Sequence, residues 1–320
     1  MSRKIDRRTF TKRMGQAGLA AASTSAMPGL LAQEDSTSMR DPSEIELLAS
    51  YWTIAGGADP TGEPQWSPFD LRDRAEVCGR VGFKGMGFWH SDIEHILETY
   101  TLTEMKQILD DNGIEHIELE FIMEWFTDGE RRQEADKVRN LLLSTAEGIG
   151  ARHIKIGDLS GDTAPMDRLI EEYAQLCDEG ADHGTSIIFE MIPTMVAGTL
   201  DEALAMIQGA NKPNGGLMCD MWHFASLEVP NSRTETLPLS VLKGVELNDG
   251  PAEFTDWEDE VVNHRQLPGE GDWDVRGLVQ AVQRAGYDGP YGVEVLNAEM
   301  RTWSLEDLVR RAYETTMSMF

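Results

Sequence analysis

A single-domain (β/α)8 barrel is the fold this chain of 320 residues predicts, and three observations predict it. From Ile45 onward, short apolar runs alternate with amphipathic helical patterns about eight times, the pattern of a parallel sheet whose strands are joined by helices. Four successive runs in the second half each carry a carboxylate near their end: Glu190, Asp220, Glu246 and Glu294. Carboxylates at the C-terminal ends of barrel strands lie on the face where such barrels do chemistry. The first run ends at Gly56-Gly57 without the third glycine of a dinucleotide-binding loop, which argues against an open doubly wound sheet holding a nicotinamide cofactor.

The elements follow in order. Leu47 to Ile54 is apolar and predicts the first strand. A Pro/Gly-rich loop with Trp66 leads to a helix over Pro68 to Val81. Phe83 to Trp89 predicts strand two, closed by His90. A helix over Thr103 to Asn112 stops at Asn112-Gly113, a pair suited to a helix C-terminus. Ile114 to Met123 is strand three and carries Glu118 and Glu120; Arg131 to Gly148 is a long helix. Ala151 to Gly157, with Lys155 inside it, is strand four, and a helix from Met166 to His183 ends at Gly184.

Strand five then runs to Glu190 in G-T-S-I-I-F-E-M-I-P, and a helix follows over Thr199 to Gln208. Strand six runs to Asp220 in G-G-L-M-C-D-M-W-H-F-A. Leu242 to Asp249 is strand seven, Val275 to Ala285 a helix, Pro290 to Asn297 strand eight, and Ser304 to Met317 the closing helix. Runs of four to six apolar residues bounded by glycine are the form of strands buried on both faces.

Clustered carboxylates repel unless something positive lies among them. Glu190, Asp220, Glu246 and Glu294 are therefore candidate ligands of one divalent ion, and hard oxygen donors favour Mg2+ or Mn2+ over Zn2+. Four carboxylates on one such ion leave an excess of negative charge, for which Lys155 and Arg265 are candidate counter-cations. A Glu with a raised pKa beside a metal is a ready general acid or base. Asp220-x-x-His223 adds a His that could reach a substrate hydroxyl or the metal. Arg265 lies in H-R-Q-L-P-G-E-G-D-W, a loop suited to binding a substrate oxygen. His90 and Glu120 close strands two and three, with Trp52, Trp89 and Trp125 nearby; aromatic walls suit the apolar face of a sugar ring and equally suit barrel packing.

The formal charge of -28 argues against nucleic acid as a partner, since phosphate contacts need a basic surface. No run of eighteen apolar residues is present, so no membrane-spanning helix is expected. Cys78, Cys177 and Cys219 fall in helical and strand patterns without zinc spacing and are expected as buried free thiols. The N-terminus reads differently from the rest. Asp6 to Lys12, D-R-R-T-F-T-K, precedes a small-residue, mildly apolar run and resembles a twin-arginine export signal. Residues 1–32 are expected as that signal, 33–44 as a polar tether and 45–320 as the barrel, with export to the periplasm or the extracellular space.

G-E-G-D-W, D-x-x-H and V-E-V before a closing helix together resemble the xylose-isomerase-like barrel family, the sugar phosphate isomerase/epimerase group, over Ile45 to Phe320. The resemblance implies a divalent metal, often Mn2+, bound at Glu190, Asp220, the Glu246 position and Glu294, with Glu246 standing where the family commonly has His. It implies that His223 and Arg265 contact substrate oxygens, and that Glu190 and Glu294 move a proton on opposite faces of an enediolate. The function expected from it is an exported, metal-dependent isomerase or epimerase of a sugar or keto-sugar, with His90, Glu120 and Lys155 as further substrate-binding candidates. The alternatives are a lyase or hydratase acting on 3-keto-glycosides or inosose-like keto-sugars, and a sugar-binding barrel without catalysis. The endonucleases on this barrel use a histidine-rich, three-metal site, which the seven His of this chain do not suit. A small carbohydrate is the expected partner; assembly into a homo-oligomer stays open.

Overall fold

Eight strands pair in chain order and the last returns to the first, closing a parallel barrel. They are β1 Leu47–Ala49, β2 Gly85–Trp89, β3 His116–Ile122, β4 His153–Ile156, β5 Ser186–Glu190, β6 Gly215–Asp220, β7 Leu242–Leu247 and β8 Tyr291–Val293. The structure is a computed structural model describing residues 39–253 and 255–320. The arginine-containing segment 1–32 and the tether as far as residue 38 lie outside the described residues. Among the described residues no helix is long and apolar enough to cross a membrane.

The register shows which side chains share a face, since side chains alternate with period two along a strand. Gly87 pairs with Glu118, Glu118 with His153, Lys155 with Ile188, Glu190 with Met218, Asp220 with Glu246, and Glu246 with Gly292. One face therefore joins the charged residues of β3 to β7 around the lumen. The other face is apolar: Ile154, Ile156, Ile187, Phe189, Leu217, Val245 and Val293 join the large core cluster shared with the helices. Leu48, Ile188 and Met218 are buried yet stand apart from that cluster, as lumen-facing side chains must. Each fully buried Leu, Ile, Val or Phe stabilises the fold by roughly 1.5–3 kcal/mol, so the outer layer holds the barrel together. The lumen holds the charged residues together with Leu48, Ile188 and Met218.

The ends of the strands differ from expectation. The first strand, expected over Leu47 to Ile54, stops at Ala49, because Ser50 turns the chain into a one-turn helix, Tyr51–Ile54. The Thr53 hydroxyl then donates to the Val293 carbonyl (2.7 Å) and accepts from the Val295 N–H (2.8 Å). A side chain thus takes over where the β1 ladder ends, and β8 is correspondingly a strand only over Tyr291–Val293 rather than Pro290 to Asn297. Helices His90–Leu97, Met221–Ser226 and Trp257–Asn263 also form where no helix is expected. The Met221–Ser226 helix has a local cause: Asp220 accepts from the His223 N–H at 3.1 Å and caps it, satisfying a donor with no partner inside the helix.

Candidate active site

The four strand-end acids converge. Glu190, Asp220, Glu246 and Glu294 are all buried, and one carboxylate oxygen from each lies within 4.8 Å of the others. Gly292 makes part of this possible. A Cβ there would lie 2.7 Å from Glu246 Cγ, so β8 needs glycine where the Glu246 side chain crosses it.

Lys155 stands in the midst of these acids with no solvent exposure. Its Nζ donates to Glu294 Oε1 (2.7 Å) and Glu246 Oε1 (2.8 Å). It also lies 3.1 Å from Glu120 Oε2, 3.8 Å from Glu118 Oε1 and 4.0 Å from Glu190 Oε2. Below it, His153 Nε2 pairs with Glu118 Oε2 at 2.7 Å. Arg265 is the second fixed cation. Its guanidinium donates to Glu294 Oε2 at 2.9 Å, lies 3.7 Å from Asp220 Oδ2, and stacks over Trp222.

The remaining contacts orient the acids. Ser50 Oγ donates to Glu246 Oε1 (2.8 Å), and Asn248 Nδ2 donates to Asp220 Oδ2 (2.9 Å). His223 Nε2 lies 3.1 Å from Glu190 Oε1. The Tyr51 N–H donates to Glu120 Oε1 at 3.3 Å. Asp249 serves the loop instead of the acid cluster. Its carboxylate accepts from the backbone N–H groups of Gly250 (2.8 Å), Gly269 (3.0 Å) and Trp273 (3.0 Å). This pins the segment that carries Arg265. Gly271 passes so close that a Cβ would lie 2.3 Å from Asp249 Oδ1.

Burial and neighbouring charge set the protonation of the cluster. Burial works to raise Glu190, but Lys155, His223 and Arg265 outweigh it and hold the carboxyl down at about 2. Burial, reinforced by Glu294 and opposed by Lys155, pushes Glu246 well above the usual carboxylate range. Burial likewise raises Glu294, with Lys155 and Arg265 opposing. Glu120 is pushed up to about 8 by burial and by the acids around it, again against Lys155. Lys155 itself is raised well above its ordinary value; burial opposes this and Glu118, Glu120, Glu246 and Glu294 overcome it. Carboxylates forced to share space without enough positive charge hold protons.

The donor set fits a hard divalent ion. Glu246 Oε2 is buried without a hydrogen-bond partner, although its sister oxygen has two. A buried unpaired carboxylate oxygen is costly, and Glu246 is one of the four residues that each bring an oxygen to the convergent set. Isolated charges cost several kcal/mol each to bury, and apolar replacements of buried ion pairs often match or exceed their stability by about 1–4 kcal/mol. A lumen this polar is thus poorly explained by stability alone.

Of the residues singled out from sequence, Glu190, Asp220, Glu246, Glu294, His223, Arg265, Glu120 and Lys155 are brought together. His90 is not. It lies against Trp89, with ring centroids 4.6 Å apart. Its Nδ1 is buried without a partner, and no hydrogen bond or ion pair joins it to the acids among the described residues. Burial pushes its imidazole down to about 4. Trp125 packs in the main core and donates to the Gly157 carbonyl at 3.0 Å. Trp52 and Trp89 instead join a second apolar cluster with Tyr51, Phe121 and Ile192, all from segments at or beyond the C-terminal ends of strands. Ser50, Asn248, Glu118 and His153 complete the polar lumen and were not among the candidates. Glu118 and His153 lie two residues before Glu120 and Lys155, so alternation alone would have placed them inside.

A family model described as xylose isomerase-like TIM barrel matches residues 75–317. The chain is 24% identical over 242 residues to a 3-dehydroshikimate dehydratase of Pseudomonas aeruginosa, covering 72% of this chain and 37% of that protein. It thus spans little more than a third of the dehydratase's length. It is 21% identical over 257 residues to an inosose isomerase of Halalkalibacterium halodurans, covering 76% and 89%. Among solved structures, the IOLI protein with a bound zinc atom superposes with a TM-score of 0.73 at 16% identity, covering 86% of this chain and 98% of that one. A D-allulose 3-epimerase from Methylomonas sp., in complex with D-allulose, gives 0.65 at 16% identity, covering 86% and 97%. At these identities the structural matches speak to the fold.

Proposed function

The chain belongs to the xylose isomerase-like TIM barrel family, and on that premise we propose that it is a divalent-metal-dependent isomerase or epimerase of a sugar or keto-sugar. The observation that carries this reading is the convergence of four buried carboxylates from successive strand ends, with Glu246 Oε2 left unpartnered. Glu190, Asp220, Glu246 and Glu294 would hold the ion, Mn2+ or Mg2+ by the hardness of the donors. When bound, such an ion polarises a carbonyl and stabilises the negative charge that develops when a neighbouring C–H is broken.

The chain's own residues do the rest. Glu190 takes a proton from the carbon next to the carbonyl. Its carboxylate is the less encumbered of the pair, with His223 on one oxygen and Lys155 4.0 Å from the other. Glu294, gripped by Lys155 on one oxygen and Arg265 on the other, is fixed in place to return a proton on the other face of the enediolate. His223 and Arg265 contact substrate oxygens. The aromatic cluster of Tyr51, Trp89 and Phe121 offers an apolar wall and limits water near the reacting carbon. A lyase or dehydratase using the same first proton abstraction is the second reading, favoured by the similarity to a 3-dehydroshikimate dehydratase and by the resemblance of the Asp6 to Lys12 stretch to an export signal.

The test is to change Glu190→Gln and Glu294→Gln separately, and to measure turnover beside deuterium uptake from D2O across a keto-sugar panel. General acid and base groups each contribute roughly 10²–10⁴-fold, so turnover should fall by that order in both. Glu190→Gln should lose deuterium uptake as well, whereas Glu294→Gln should retain it. Near-wild-type turnover in both metal-loaded variants would mean that these residues bind the ion and do not move protons.

A further inference from the structure

Lys155 has contacts that its part in fixing Glu294 does not account for. It rises from β4 and reaches across the barrel to Glu246 on β7 and Glu294 beyond β8. Its ammonium is enclosed by oxygens of Glu294, Glu246 and Glu120 at 2.7, 2.8 and 3.1 Å. Those of Glu118 and Glu190 stand further off, at 3.8 and 4.0 Å.

The acids therefore form two overlapping groups. One comprises Glu190, Asp220, Glu246 and Glu294, whose oxygens converge within 4.8 Å. The other comprises Glu120, Glu246 and Glu294, gathered on the Lys155 ammonium. Glu246 and Glu294 belong to both. Glu246 gives Oε1 to Lys155 and keeps Oε2 buried and unpartnered. Shared carboxylates between two neighbouring cations are the arrangement of two-ion centres, whose ions lie about 3.5–4 Å apart. Here one of the two positions is filled by an amine of the chain itself.

We propose that Lys155 is a tethered cation occupying the second of two adjacent cation positions, and that it holds the centre to one divalent ion. The inference rests on the metal-dependent reading of the site and adds a determinant of how many ions it takes. A covalently attached ammonium cannot leave when ions are scarce, and it neutralises part of the charge that six buried lumen carboxylates, Glu118, Glu120, Glu190, Asp220, Glu246 and Glu294, would otherwise present to a second ion. Removing both its charge and its volume opens a position lined by Glu120, Glu246 and Glu294.

The experiment is a Mn2+ titration of chelator-stripped full-length protein, read by bound-metal stoichiometry and by electron paramagnetic resonance, which separates isolated Mn2+ from a spin-coupled pair. The wild type should bind one buried ion without coupling. Lys155→Ala should bind two, spin-coupled, and Lys155→Ala with Glu120→Gln should return to one. Lys155→Arg, which keeps a cation in place, should hold one. Should Lys155→Ala not fold, Lys155→Ser asks the same question with a small neutral side chain that can still donate to the acids. A coupled pair in the wild type overturns the proposal without any variant. A single ion in the small neutral variants overturns it and leaves the functional reading intact. No buried ion in the wild type overturns the functional reading together with this one.

Discussion

Single residues in this barrel mouth are set apart by what surrounds them. His90 stands next to Trp89 without a hydrogen bond or ion pair to the acids among the described residues, and its burial has a consequence for pH. Its imidazole is pushed down to about 4, against about 6.5 in an unfolded chain. Between those values the unfolded state binds the proton and the folded state does not, so stability falls as pH drops from about 6.5 to about 4 and is unaffected above that window. The loss is at most about 3 kcal/mol, less in proportion to the ring's remaining contact with water. Denaturant melts of wild type and His90→Asn across pH 4 to 7 should diverge in that window, with the variant losing less stability toward acid. Parallel curves would show that the ring is protonated in the fold as readily as in the open chain. In the sequence His90 looks like any other polar residue closing a strand, because a strand-end position does not say which way a side chain turns. The helix that begins at His90 carries the ring against Trp89.

At the scale of elements, the most informative is the segment from Arg265 to Trp273, held by Asp249. Three backbone N–H groups converge on one carboxylate, and hydrogen bonds to a charged acceptor contribute roughly 1.5–3 kcal/mol each. Asp249→Asn keeps the size, removes the charge and turns an NH2 group toward at least one of those donors. The change should cost on the order of 2 kcal/mol in folding stability by denaturant unfolding. It should also lower kcat/KM by about tenfold, because Arg265 loses its fixed place beside Glu294 and Asp220. Unchanged stability and kinetics would show that the loop holds Arg265 without Asp249.

The elements also show where the sequence is legible and where it is not. β5 and β6 can be read directly, because apolar residues buried on both faces leave a short run that ends on an acid; β7 shows the same ending in V-E-L after the half-buried Lys243. β1 could not be bounded, since Tyr51 to Ile54 is as apolar as the strand before it, and the switch at Ser50 depends on Thr53 reaching β8. Lys155 was visible as a candidate counter-cation. Its place at the centre of the acids depends on β4 registering against β3 and β5, which a single short H-I-K-I run does not reveal. The deeper Glu118–His153 pair follows from the same register.

The whole molecule combines an acidic chain of formal charge -28 with a lumen where acids outnumber fixed cations. Its N-terminal Arg7-Arg8 pair supports the proposal that the barrel works outside the cytoplasm. Replacing both by Lys should leave the protein in the cytoplasm of an expressing cell, as judged by fractionation and immunoblotting. Undiminished appearance of the protein outside the cytoplasm would contradict a twin-arginine route.

The central claim is that the four strand-end carboxylates hold an ion which makes a carbon-bound proton next to a carbonyl removable. The most direct measurement is solvent deuterium uptake into a keto-sugar, followed by proton NMR in D2O with chelator-treated protein before and after Mn2+ or Mg2+ is restored. The expected result is negligible uptake without the ion, recovery on adding it, and no recovery in Asp220→Asn carrying Glu246→Gln. Uptake that is equally fast with and without the ion, or that survives loss of both ligands, would contradict the account.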